Sequence, residues 1–145
     1  MGTRGSPTFE RVWLTVWARP AGCATIWFVT TVLIVDDHPS FRANARALLE
    51  AEGFDVVGEA EDGDSAIAVT AELHPDVLLL DVHLPDMDGF AVCERLRAMN
   101  GRGPKIVLVS SRDACDFGDL IARSGARGFI PKAELSGEAL AALVE

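Results

Sequence analysis

A chain of 145 residues, 49% of them hydrophobic, has room for one well-filled core and is too apolar to be disordered. Its formal net charge of −9 argues against binding nucleic acid through a general basic surface. The three cysteines, Cys23, Cys93 and Cys115, form no CxxC pair, which excludes a disulfide framework and a cysteine zinc site. Their simplest role is as small apolar core residues in a reducing cytosol.

Residues 1 to about 30 stand apart from the rest. They hold all three tryptophans, Trp13, Trp17 and Trp27. Arg4, Arg11, Arg19 and Glu10 give them a net charge of +2, which leaves −11 for the remainder of a chain whose total is −9. Two apolar stretches, 12–17 and 21–29, are split by Arg19-Pro20, and neither approaches the ~20 residues that span a bilayer. A signal-peptide cleavage pattern is also poor. This predicts a non-domain extension over 1–30, a domain over 31–145, no membrane anchor and a cytoplasmic location. The composition break also fits a start at Val29 from a GTG codon, which a native peptide from residues 1–28 would exclude.

Residues 31–35, TVLIV, form the first predicted strand and run into Asp36-Asp37. Pro39 and Ser40 open a helix with Phe41, Ala45, Leu48 and Leu49 on one face, and Gly53 stops it. Residues 54–60 read as a second, less apolar strand. Residues 63–72 read as a second helix that buries Ala66, Ile67, Val69 and Leu73 and ends at His74-Pro75. Residues 77–80, VLLL, are a continuous apolar run of the kind found in strands buried on both faces, and they lead into Asp81. The turn LPDMDG over 84–89 follows. A third helix over 90–99 turns Phe90, Val92, Cys93, Leu96 and Met99 inward and closes at Asn100-Gly101. Residues 105–110, KIVLVS, are the fourth strand, and 115–124 a weak fourth helix interrupted by Gly118. Residues 128–131, GFIP, are a short fifth strand ahead of Lys132, and 136–144 the last helix.

Strands alternating with helices predict a doubly wound α/β fold, a five-stranded parallel sheet with helices on both faces. The first, third and fourth strands are the most apolar and belong in the middle, which matches the flavodoxin-like order 2-1-3-4-5. Strands one and three are then neighbours, and their C-terminal ends bring Asp36, Asp37 and Asp81 together. Three carboxylates in one crevice repel unless a cation sits among them, and a hard divalent ion such as Mg²⁺ is the natural occupant. Ser110 and Lys132 end the fourth and fifth strands. A phosphoryl group on Asp81 would meet a metal, a hydroxyl and an ammonium, the electrostatic set that phosphoryl transfer requires.

These residues in this order resemble the receiver domain of bacterial two-component response regulators, over roughly residues 31–145. The opening VLIVDDHPSFR and closing GARGFIPK are most similar to the subfamily usually fused to a helix-turn-helix output. The resemblance implies that Asp81 accepts a phosphoryl group from a phosphohistidine on a sensor histidine kinase. It implies that Asp36, Asp37, Asp81 and the backbone carbonyl of His83 hold Mg²⁺, and that Lys132 pairs with the acyl phosphate. Ser110 would swing in as the switch hydroxyl and Phe129 would repack as the switch aromatic. His83 and Arg112 would tune dephosphorylation. Pro131 precedes the lysine, where many members of the family have it following. The implied partners are the kinase and either a downstream protein or a second copy. These would bind the face of the fourth helix, fifth strand and last helix, or that of the first and last helices. Direct binding to nucleic acid or membrane is not expected, and the chain reads as a stand-alone receiver or a fragment of a longer regulator.

Simpler readings compete for single motifs. Asp36-Asp37-His38-Pro39 alone equally suits a helix cap with acidic residues at the dipole. Asp86-Met87-Asp88-Gly89 resembles part of a calcium loop, but the required register puts Leu84 and Arg95 at the two end-ligand positions. His38, His74 and His83 have no His or Cys at zinc-ligand spacing. Two rival functions remain. A Mg²⁺-dependent aspartyl-phosphate phosphohydrolase would carry a D-x-D pair after strand one, which is absent. An inert interaction module would have no use for the intact acid, hydroxyl and lysine set. The chain is thus expected to be a phosphoryl acceptor, not a turnover enzyme.

Overall fold

The computed structural model describes residues 29–99 and 103–144. The extension expected over 1–30 therefore lies almost wholly outside the described residues, as do Cys23 and the Asn100-Gly101 helix stop. The strands are β1 (Thr31–Val35), β2 (Asp55–Ala60), β3 (Val77–Asp81), β4 (Lys105–Ser110) and β5 (Gly128–Pro131). The helices are α1 (Pro39–Ala51), α2 (Gly63–Leu73), α3 (Gly89–Ala98), α4 (Leu120–Arg123) and α5 (Gly137–Val144). All pairings are parallel and the order is β2-β1-β3-β4-β5, as expected.

The alternation of side chains along each strand separates two cores. Val32, Ile34, Val77, Leu79, Val107 and Val109 face one way and pack with Ala45 and Leu49 of α1 and Leu140 and Val144 of α5. Leu33, Val35, Leu78, Leu80, Ile106 and Leu108 face the other way and meet Ala66 of α2 and Val92, Cys93 and Leu96 of α3. Because both faces are covered, the central strands are apolar without interruption. Pro131 sits on the edge strand β5, where its missing N–H costs no ladder bond to an outer neighbour.

At the N-terminal edge of the sheet a reciprocal clasp sets β1 against the entry to β3. Thr31 N–H donates to Asp76 Oδ2 at 3.0 Å, and Asp76 N–H donates to Thr31 Oγ1 at 2.8 Å. The helices on the second face are capped at their starts. Asp62 accepts from Ser65 N at 2.8 Å ahead of α2, and Asp88 accepts from Ala91 N at 2.8 Å ahead of α3.

Three expectations change. The fourth helix is not continuous over 115–124. A 3₁₀ turn over Ala114–Phe117 and the one-turn α4 are separated by Gly118 at φ +60°, a left-handed conformation that breaks the helical ladder. Leu73 and Met99 are each 41% exposed and not core. Ala66 and Thr70, one turn apart, take the inward positions of α2, and Met99 leaves α3 in extended conformation as its cap. Among the cysteines, Cys93 is buried as expected, whereas Cys115 is exposed on the 3₁₀ turn. Burial pushes the Cys93 thiol up to about 11, so it stays protonated and unreactive.

Candidate functional site

Because β1 and β3 are adjacent, the carboxylates that end them share one crevice at the C-terminal edge of the sheet. Asp36 is fully buried and Asp81 is 2% exposed. Lys132, the first residue after β5, crosses the end of β4 to reach both. Its Nζ lies 2.5 Å from Asp36 Oδ2 and 3.3 Å from Asp81 Oδ2. The same ammonium stands 4.6 Å from the centroid of the Phe41 ring in the first turn of α1. One cation thus bridges two buried acids, and an aromatic face supports it.

Burial pushes the Asp81 carboxyl above the usual range, and the neighbouring Asp36 charge adds to the effect. Lys132 and the His83 backbone N–H, which donates to Asp81 Oδ1 at 3.2 Å, act in the opposite direction.

The donor set also fits a hard divalent cation. Asp36 Oδ2 and Asp37 Oδ1 are buried and accept no hydrogen bond, although Lys132 approaches the first of them. One ligand atom from each of Asp36, Asp37, His38 and Asp81 lies within 4.8 Å of all the others. Three carboxylates against a single ammonium leave negative charge that an oxygen-seeking ion would balance.

The turn after β3 is fastened from three sides. Asp86 accepts from the N–H groups of Gly63 at 2.8 Å and Asp64 at 2.9 Å, at the start of α2. These N–H groups hold the Asp86 carboxyl below the usual range. Met87 lies over Gly63, where any Cβ would come within 2.5 Å of its side chain. Gly89 donates to Val82 O at 2.7 Å and packs so closely behind the acid that a Cβ there would lie 2.8 Å from Asp81 O. LPDMDG is therefore a brace for Asp81.

Ser110 is fully buried at the end of β4, in register with Pro131, and its Oγ accepts from Arg112 N at 3.1 Å. Phe129 is half-buried, with its ring 5.7 Å from that of Phe117. Phe117 also meets Phe90 at 5.8 Å and His83 at 5.9 Å. Of the residues expected from sequence, Asp36, Asp37, Asp81 and Lys132 assemble into one charged cluster. Ser110 sits at the adjoining strand end, and Phe129 and His83 share the Phe117 ring group. Arg112 is exposed beside Ser110.

Sequence reasoning missed four contributors. Phe41 and Arg42 enter from the first turn of α1: Arg42 Nη1 donates to Asp36 O at 2.6 Å and its Nε to Glu59 at 3.0 Å. Their position one turn beyond the acidic pair was the available signal. Phe117 was hidden in the misread fourth helix. His38, set aside for want of His or Cys partners, finds carboxylates instead, with Nδ1 3.0 Å from Asp36 Oδ1. A groove of about 710 Å³ opens at the opposite edge of the sheet, lined in part by Phe54, Met99 and Lys105, far from this cluster.

The family model described as the response regulator receiver domain matches residues 32–145. A transcriptional regulator of Pseudomonas aeruginosa is 37% identical over 114 residues, covering 79% of this chain and 55% of that protein. The DNA-binding transcriptional activator EvgA of Escherichia coli is 34% identical over 111 residues, covering 77% of this chain and 54% of its own. Among solved structures, the BeF3-activated N-terminal receiver domain of Klebsiella pneumoniae RstA superposes with a TM-score of 0.68 at 35% identity. That match covers 79% of this chain and 95% of that one. The chain spans about half the length of the curated relatives it matches.

Proposed function

Since this chain belongs to the response regulator receiver domain family, we propose that Asp81 is its phosphoryl acceptor. The family is a phosphoaccepting signalling domain of two-component systems and works with sensor histidine kinases. The observation that carries the assignment is the Lys132 ammonium held between the buried carboxylates of Asp36 and Asp81.

In the transfer, a carboxylate oxygen of Asp81 forms the new O–P bond as the N–P bond to the kinase histidine breaks. The leaving imidazole keeps the electron pair. Lys132 is placed to follow the charge as it moves onto the phosphoryl oxygens. Asp36, Asp37 and Asp81, with the His83 carbonyl, would hold Mg²⁺, which when bound draws charge from those oxygens. Ser110 would leave the Arg112 N–H to bind the phosphoryl group, and Phe129 would leave Phe117 to fill the vacated space. The chain would then act as a switch and not as a turnover enzyme. It would signal to a downstream protein or a second copy through the face of α4, β5 and α5, or that of α1 and α5. A cytoplasmic location and a domain boundary near residue 31 belong to the same reading; no helix among the described residues is long and apolar enough to cross a membrane.

Incubation with acetyl phosphate and Mg²⁺ tests the assignment. The expected result is a mass gain of one phosphoryl group that Asp81→Asn abolishes. A gain that persists in Asp81→Asn, or rapid turnover of many phosphoesters, would overturn it.

A further inference from the structure

The acidic cluster contains one group that the phosphoryl-transfer reading leaves unused. His38 stands at the N-cap position of α1 and makes no side-chain cap bond there. Its Nδ1 lies 3.0 Å from Asp36 Oδ1 and 3.1 Å from Asp37 Oδ1. A ring nitrogen carries at most one proton, so hydrogen bonding could serve both oxygens only by sharing that proton between them. Asp36 Oδ1 already receives the His38 backbone N–H at 2.7 Å. Asp37 Oδ1 is buried and accepts no hydrogen bond at all.

An ion among the three atoms accounts for both contacts. Donors about 2.1 Å from a six-coordinate centre stand about 3.0 Å apart along each adjacent edge. The two N···O separations match that edge, and the orphaned Asp37 oxygen gains a partner. The side chain of His38 is 64% exposed, so the ring can enter or leave the site without repacking the core.

We propose that His38 Nδ1 is a metal ligand, making this a mixed oxygen–nitrogen site that takes a divalent transition ion more tightly than Mg²⁺. The proposal rests on reading the cluster as a cation site. Imidazole is a good ligand for Ni²⁺ and Zn²⁺ and a poor one for Mg²⁺, which prefers carboxylates, carbonyls and water. Removing the ring therefore affects the two classes of ion differently, which a purely structural role would not do.

The test is calorimetric titration of the full chain, without an affinity tag, by Ni²⁺ and by Mg²⁺ in separate runs. A Cys115→Ser background removes the one exposed thiol among the described residues. His38→Ala and the bulkier His38→Gln should each lose at least tenfold in Ni²⁺ affinity while Mg²⁺ affinity stays within about twofold. Asp36→Asn should weaken both ions. Equal Ni²⁺ affinity in His38→Gln and the parent would overturn the proposal. So would a parallel loss of both ions, because His38 would then act only by orienting the carboxylates. A Ni²⁺ loss found in His83→Gln instead would assign the nitrogen to the wrong histidine. The phosphorylation assay fails or succeeds independently: a parent that binds Ni²⁺ through His38 but takes no phosphoryl group would overturn the function and leave the ligand assignment standing.

Discussion

The loop after β3 and the segment after β4 flank the same site, yet they are built in opposite ways. Residues 82–88 are pinned by Asp86 on two α2 amides, by the Gly89-to-Val82 hydrogen bond and by the Asp88 cap on α3. Residues 111–119 are tied by the Arg112 N–H to Ser110 Oγ, by the Phe117 ring and by an exposed Asp119–Arg123 pair at 3.9 Å, and they hold a 3₁₀ turn without a side-chain cap bond and Gly118 at positive φ. All of them except Phe117 are exposed. On the proposed function the first would hold the Asp81 carboxylate still, because a reacting oxygen displaced by even 1 Å loses its alignment. On the same reading the second would move with Ser110, and away from the Phe117 ring few contacts oppose that movement.

Loosening the stiff side should have the largest effect. Gly89→Ala forces a methyl group against the Asp81 and Val82 backbone, which cannot yield as a side-chain tip would. It should destabilise the fold by about 1–3 kcal/mol in chemical denaturation and slow phosphorylation by acetyl phosphate as well. Phe117→Ala acts on the soft side and removes a ring that touches His83, Phe90 and Phe129. We expect a smaller loss, about 1–2 kcal/mol, with the phosphorylation rate nearly intact. If Phe117→Ala slowed phosphorylation as much as Gly89→Ala, the division between a chemical side and a signalling side would be wrong.

The same division explains what could be read from the sequence. The strands are legible because period-2 burial on two faces leaves no choice but continuous apolar runs, and each functional residue follows such a run. Asp36, Asp37, Asp81, Ser110 and Lys132 could thus be placed by topology alone. Asp86 and Gly89 were legible as a turn but not as a brace, since their partners, the amides of α2 and the backbone of β3, are remote in sequence. The soft segment was misread because Gly118 interrupts a weak apolar pattern, and a broken helix and a continuous one bear nearly the same residues. Phe41, Arg42 and His38 were hidden for another reason. Local pattern shows which helix face points inward, but it cannot show which acid an outward side chain from the first turn will reach.

A smaller, pH-dependent effect follows from Asp86. The α2 amides hold its folded carboxyl below the unfolded value, so it contributes stability above the ordinary carboxylate range. That contribution is lost as the pH falls through the folded value. Asp86→Asn should therefore be slightly less stable than the parent at pH 7, and the gap should close under acid conditions. Hydrogen exchange at the Gly63 and Asp64 amides should quicken in the variant at neutral pH. A gap that widened on acidification would mean that the stiff loop owes its fastening to another group.

The two regions meet in the lifetime of the phosphorylated state. His83 leaves the stiff loop two residues after Asp81, and Arg112 leaves the soft segment two residues after Ser110. Both are bulky groups that would exclude the water attacking the acyl phosphate. His83→Asn and Arg112→Glu should each shorten the phosphorylated state a few-fold, read from the decay of the phosphoryl mass. The His83 ring faces Phe117, so its position depends on the soft segment as well. Phe117→Ala should then shorten the lifetime even with His83 present. In the double variant the two changes should not multiply, because a ring already removed cannot be set loose. Multiplicative effects would mean that Phe117 shields the phosphoryl group itself and His83 acts alone.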